Sequence, residues 1–287
     1  ANAGVAGGAI TIDTAGAGVI TFATAADITT SGSAGTTGFL GLGANGGAGG
    51  AVTLNTTDTN ITLNDTTITT TGGAGTATTG AGGAVTFSDE VVLATGAVAI
   101  TTGTTAGNIL FSDTLDGAQA LTLTAGTGNV TFTGIVGATP LGLVTINSAG
   151  TALASAAFSS AGLTWTATTA IQTDGLVTST AAVNFAAALI DLNLGITAAG
   201  QLVNLDAGAT GLTIDGGAIT TTGGNDTAGG AIDIDSSAGN VVISSNLVTT
   251  GGAATGANNG VAGGAVTIDT LGTGVITFAT AADITTS

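Results

Sequence analysis

Short bursts of strict alternation between apolar and polar residues run the length of this chain. Ile10-Thr11-Ile12-Asp13 is the first, followed by Val52-Thr53-Leu54-Asn55, Val85-Thr86-Phe87-Ser88 and Val130-Thr131-Phe132-Thr133. Later copies are Val144-Thr145-Ile146-Asn147, Leu212-Thr213-Ile214-Asp215, Ile232-Asp233-Ile234-Asp235 and Val266-Thr267-Ile268-Asp269. A period of two is the pattern of a strand buried on one side. It sends Ile10 and Ile12, Val52 and Leu54, Val85 and Phe87 inward together. Thr11, Thr53, Thr86, Thr131, Thr145, Thr213 and Thr267 then face out. The Asp, Asn or Ser that closes most bursts suits a turn, because its side chain bonds the nearby backbone.

Two further sets of strands lie between these bursts. One includes Gly18–Phe22, Asn60–Asn64, Leu121–Thr124 and Asn240–Ile243; the other includes Ala26–Thr30, Thr66–Thr69 and Ala97–Thr101. Successive bursts are 42 residues apart from Ile10 to Val52, 33 from Val52 to Val85, 24 from Phe87 to Phe111 and 21 from Phe111 to Phe132. Two or three short strands per roughly 20 to 34 residues, joined by Gly-rich turns, describe one rung of a parallel β-solenoid, an all-β fold. Helix is disfavoured by the Thr, Val, Ile and Gly content, and Ala181–Leu192 is the one place where a helical turn could hide. Gly32–Gly50, Thr71–Gly83 and Gly251–Gly264 read as loops on the body, with Phe39-Leu40-Gly41-Leu42 folding back on it. From Gly134 to Leu205 the motif loosens, and the single Pro (Pro140) and single Trp (Trp165) fall there.

A longer period overlies the strands. Residues 257–287 repeat residues 1–31 at a constant offset of 256, differing only at Ala3/Asn259, Ile10/Val266, Ala15/Leu271 and Ala17/Thr273. A fixed period marks architectures that grow by stacking. Residues 1–256 are therefore expected to be one solenoid repeat, and 257–287 the opening of the next. An open solenoid end exposes a strand edge, which the following repeat would cap. Roughly nine to eleven rungs per repeat at about 4.8 Å each imply a superperiod of about 45–50 Å.

Composition removes most chemistry. The 287 residues include no Lys, Arg, His, Cys, Met or Tyr, and the 17 acidic residues give a formal net charge of −17. Without cations there is no footprint for nucleic acid and no polybasic attraction to anionic membrane. No apolar run reaches the roughly 20 residues of a spanning helix, so membrane insertion is not expected. Hydrophobic content of 44 % argues for a folded chain. Side-chain salt bridges are impossible, and trypsin has no site.

Nucleophilic catalysis has no His or Lys to activate a hydroxyl. The carboxylate pairs Asp89/Glu90, Asp113/Asp116 and Asp233/Asp235 invite comparison with glycosidases, yet turn-forming and solubilising roles account for them. No catalytic, cofactor-binding or metal-binding residue is assigned, and the chain is expected not to be an enzyme. Gly229–Asp235 lacks the third Gly of the calcium-binding nonapeptide, leaving loosely bound Ca²⁺ on the acidic surface as the only cofactor to consider. Thr122-Leu123-Thr124, Thr131-Phe132-Thr133 and Thr164-Trp165-Thr166 have the form of ice-binding ladders, although Thr is also the ordinary solvent-facing strand former. Sequons occur at Asn55, Asn60, Asn64, Asn129 and Asn225.

In its Gly-Gly-Ala-Val-Thr-Ile strands, its Thr, Gly, Ala and Asn richness and its long-period duplication, the whole chain resembles large bacterial surface proteins of the filamentous-haemagglutinin and adhesin type. That resemblance implies a right-handed parallel β-helix forming an exported stalk at the cell surface. The expected function is a structural extracellular filament or sheath whose partner is another copy of itself, end to end and laterally. The alternative is the stalk of an adhesin that meets other cells or surfaces through a tip outside this sequence. An ice-binding or carbohydrate-active β-helix stands behind both.

Overall fold

The computed structural model describes every residue except Ala15, Phe39, Leu40, Asp58 and 256–259. Its 28 strands among the described residues fall into two compact units, Ala1–Ala152 and Leu153–Ser287. β15 (Thr151–Ala154) carries the boundary.

In the first unit the chain coils through three strands per turn. The coils are β1 (Ile10–Asp13), β2 (Ile20–Thr21) and β3 (Ile28–Thr29), then β4 (Val52–Asn55), β5 (Ile61–Asn64) and β6 (Thr67–Thr69). They continue as β7 (Val85–Phe87), β8 (Val91–Thr95) and β9 (Val98–Thr101), then β10 (Ile109–Phe111), β11 (Leu115–Asp116) and β12 (Leu121–Thr124). A fifth turn is built from β13 (Val130–Phe132) and the long β14 (Val136–Ser148). Each strand pairs in parallel with its counterpart one turn on, making three ladders. This is a parallel β-solenoid. The burst spacings read from the sequence are its coil lengths, since Ile10 pairs with Val52, Val52 with Val85, and Phe87 with Phe111 and then Phe132.

The second unit repeats the scheme with β16 (Phe158–Thr166), β17 (Ala170–Thr173), β18 (Val177–Ser179), β19 (Val183–Leu192) and β20 (Ile196–Thr197). It goes on with β21 (Val203–Ile214), β22 (Ile219–Thr220), β23 (Ile232–Ser236), β24 (Asn240–Ile243) and β25 (Leu247–Val248). It closes with β26 (Val266–Thr270), β27 (Ile276–Phe278) and β28 (Ile284–Thr285). Its strand pairings among the described residues are parallel.

The inward positions form the core of each unit. Val52, Leu54, Ile61, Leu63 and Ile68 are fully buried, and the expected outward Thr53 and Thr86 are half-exposed. Stacking puts like on like. Phe87, Phe111 and Phe132 make a ladder of nearly parallel rings with centroids 4.7 and 5.2 Å apart. In the second unit Trp165 stacks on Phe185 at 5.1 Å and meets Phe158 in a T-shaped contact at 5.1 Å.

Two expectations need correction. Ala181–Leu192 holds no helical turn: β19 is extended, with Val183, Phe185, Ile190 and Leu192 buried and a register shift between Ala187 and Leu189. Pairing on both sides, with β16 and β17 and with β21, overrides the helical propensity of its alanines. The stretch from Gly134 to Leu205 is no weaker as solenoid. Its strands are longer, because β14, β16 and β19 run round a corner and serve two ladders each. Gly pairs that mark corners elsewhere are not needed where the strand bends without breaking.

Candidate functional surfaces

Buried hydroxyls fasten the corners. Thr30 Oγ1 donates to the Gly50 carbonyl at 2.6 Å, Thr70 to Gly83 at 2.6 Å, Thr102 to Gly107 at 2.8 Å, Thr221 to Gly230 at 2.6 Å and Thr249 to Gly264 at 2.6 Å. In each case the Thr directly after the last strand of a coil bonds a glycine carbonyl ahead of the next coil's first strand, across as many as 20 residues. A strand former whose polar atom fills a corner with no room for water is what this bond requires. The outward direction expected of Thr11, Thr53 and Thr86 was not assigned to these five, and they point in.

The Gly-rich segments of the first unit are themselves ordered. Gly4, Gly7 and Ile10 donate to the Asn45, Ala48 and Ala51 carbonyls, and Gly46, Gly49 and Val52 to Thr78, Ala81 and Ala84, all at 2.8 Å. A bond every third residue, made to neighbours and not within the segment, is the habit of polyproline II helices. Cross-bonds from Ser33 to Val5, Gly47 to Ser33, Gly73 to Gly47 and Gly80 to Gly73 tie the segments side by side. Glycine is demanded by contact: a Cβ on Gly46 would lie 1.7 Å from the Gly73 carbonyl oxygen, and one on Gly47 2.0 Å from that of Val5. The signal was present as Gly at three-residue spacing (Gly43, Gly46, Gly49), which reading for strands alone passes over. Phe39 and Leu40, expected to fold back on the body, lie outside the described residues; Leu42 is exposed.

The outward columns are mixed. Thr11, Thr53 and Thr86 stack in register, but Leu110 follows before Thr131. Thr29, Thr69, Thr101 and Thr124 make an unbroken column over four turns. A second-unit column is acidic, with Asp206, Asp235 and Asp269 on successive turns. Burial, then repulsion from Asp233, Asp206 and Asp269, pushes the Asp235 carboxyl above the usual range. Asp191 is raised by burial and then by Asp215 and Asp174. Exposed Asp226 is lowered, because the Thr255 hydroxyl and amide both donate to it.

The carboxylate pairs are placed as follows. Asp89 and Glu90 line a small depression with Asp113 and Thr59, while Asp89 also accepts the Thr56 amide at 2.7 Å, a bond that joins successive coils. Asp116 lies apart from that depression and accepts the Thr139 amide at 2.6 Å. Asp233 and Asp235 share the outward face of β23. Among the described residues no group of three or more acids is arranged to hold a metal ion. Of the sequons, Asn55 and Asn64 spend their side-chain amides on Asp13 and the Phe22 carbonyl, whereas Asn129 and Asn225 are exposed.

No family model, curated protein or solved structure matches this chain. The surfaces must be read from their own geometry, and one of them is the outer side of the β26–β28 coil. Val266, Ile268, Ile276, Phe278 and Ile284 line an open apolar depression there, with Phe278 41 % and Ile284 47 % exposed. These three strands are the counterparts of β1, β2 and β3 at the offset of 256. Even their corner bond recurs, Thr14 to Gly18 in one and Thr270 to Gly274 in the other.

Proposed function

We propose that this chain is a structural, non-enzymatic filament or sheath protein of the cell exterior, built of solenoid repeats stacked end to end. The observation that carries the reading is that the first and the last coil are near-copies in sequence, each with three strands at corresponding positions. In the last coil Phe278 and Ile284 are 41 % and 47 % exposed, and covering such apolar surface with a further coil is favourable. With every charge negative, contacts between copies rest on backbone pairing, hydroxyls and apolar faces, with Ca²⁺ bridging as the one electrostatic aid. The resemblance to haemagglutinin-type surface proteins points the same way, and the adhesin stalk is the second member of that class.

Electron microscopy of native material, averaged along the fibre axis, tests this. A thin rod with strand spacing of about 4.8 Å is expected. Globular particles without that spacing would overturn it, and a distinct domain at one tip would convert the filament into a stalk.

A further inference from the structure

The outer side of β26–β28 is apolar and open, and its counterpart in the first unit is already seen with a partner on it. Ile10 and Ile12 pair with Val52 and Leu54, Ile20 with Ile61, and Ile28 with Ile68. Coil β4–β6 is thus the natural cover of coil β1–β3. Of the differences between the copies, Ala17/Thr273 lies outside the strands, and Ile10 to Val266 keeps a β-branched apolar residue.

We infer that the face of β26–β28 is the seat for a coil with the sequence of Gly32–Thr71, supplied by a further copy of this sequence. The pairings it makes are Val266 with Val52, Ile268 with Leu54, Ile276 with Ile61 and Ile284 with Ile68, all numbered on this chain. Backbone donors agree. Ile10, Thr14, Phe22 and Thr30 give their amides to the Ala51, Asn55, Thr62 and Thr69 carbonyls. Their counterparts Val266, Thr270, Phe278 and Thr286 point the same donors at the open side.

Side chains discriminate between occupants. Asn55 donates to Asp13 at 2.8 Å, so the incoming Asn55 meets Asp269, the counterpart of Asp13. A first coil stacked there instead would set Asp13 over Asp269, adding a fourth carboxylate to the Asp206–Asp235–Asp269 column. Thr286, the counterpart of Thr30, likewise gains a Gly50 carbonyl for its hydroxyl. Like-charge stacking is unfavourable and the amide–carboxylate pair favourable, so the second coil is the occupant and the first is not.

This deepens the stacking reading but does not need an extracellular location. The test extends the full chain after Ser287 with a copy of residues 32–71, beside a control carrying the same residues in scrambled order. Hydrogen exchange is read at Val266, Thr270, Phe278 and Thr286. Slowing of these amides by at least tenfold with the native order alone is expected; equal rates in both chains would overturn the inference. A second measurement uses the absence of Cys. With Thr267→Cys in the chain and Thr53→Cys in the extension, a disulfide forms if the strands pair as proposed. Mixing Thr267→Cys and Thr11→Cys full chains probes the alternative, and efficient cross-linking there would mean that the first coil takes the seat. Failure of both would remove this seat while leaving the fibre image to judge the filament.

Discussion

Two hydroxyls in the second unit make opposite predictions from the same substitution. Thr221 and Thr173 are both fully buried, yet Thr221 Oγ1 bonds the Gly230 carbonyl while Thr173 Oγ1 has no partner among the described residues. Thr221→Val deletes the corner bond and strands a carbonyl, which costs about 1–3 kcal/mol. Thr173→Val removes a hydroxyl whose unpaired burial costs about 1–3 kcal/mol. The methyl that replaces it is of similar size, so this variant gains about 1–2 kcal/mol. Both positions lie in the unit that holds the single tryptophan, buried Trp165, so its fluorescence in urea reports the relevant transition. Midpoints are expected to move in opposite directions by roughly 1 M at unchanged slope. Shifts of the same sign would refute the idea that the corner hydrogen bond, and not the shape of Thr, is what these sites use.

Acidification from neutrality is expected to stabilise the second unit. Asp235 and Asp191 are raised in the fold, so the folded state holds more protons than the unfolded state between their unfolded and folded pKa values. Their stabilisation is thus present at and below the unfolded carboxylate range and is lost as pH rises through the raised values. Asp226 acts the other way, its contribution fading only as pH falls through its lowered value. Thermal melts should rise as pH falls from 7 towards the ordinary carboxylate range, and Asp235→Asn should flatten the trend. Phe111→Ala, which opens the ring stack on two sides, should cost about 3–5 kcal/mol, whereas half-exposed Phe278→Ala should cost less than about 1.5 kcal/mol; chemical denaturation ranks them. Gly46→Ala should disorder the extended segments around it, seen as fast exchange at Gly49 and Gly73, because its Cβ collides with a carbonyl.

The strands and their pairing partners were legible because burial writes itself into a period of two, and because stacked coils reuse a residue type at each height. Val52, Val85, Ile109 and Val130 occupy one inward column, and their spacing is the coil length. Corners were legible only where Gly pairs mark them. β19 and β21 turn without such a mark, so a run of alanines reads equally well as helix. The polyproline-like segments escaped for another reason: a period of three built on absent side chains carries no hydropathy. The inward corner threonines escaped because Thr scores as polar wherever it sits. The terminal coil was legible as duplication, but its seat, with Asn55 set against Asp13, needed coordinates.

Coil lengths differ widely: 42 residues separate Asp13 from Asn55 one turn on, but only 19 separate Asp174 from Asn193. Under tension applied to the two ends of either stack, the inter-coil bonds at an end are loaded first and the outermost turn peels away alone. Each turn that yields releases its contour length, from about 65 Å to about 145 Å at roughly 3.4 Å per residue. Sudden strain is thus taken up in separate steps, with the longest reserves held in the glycine-rich corners.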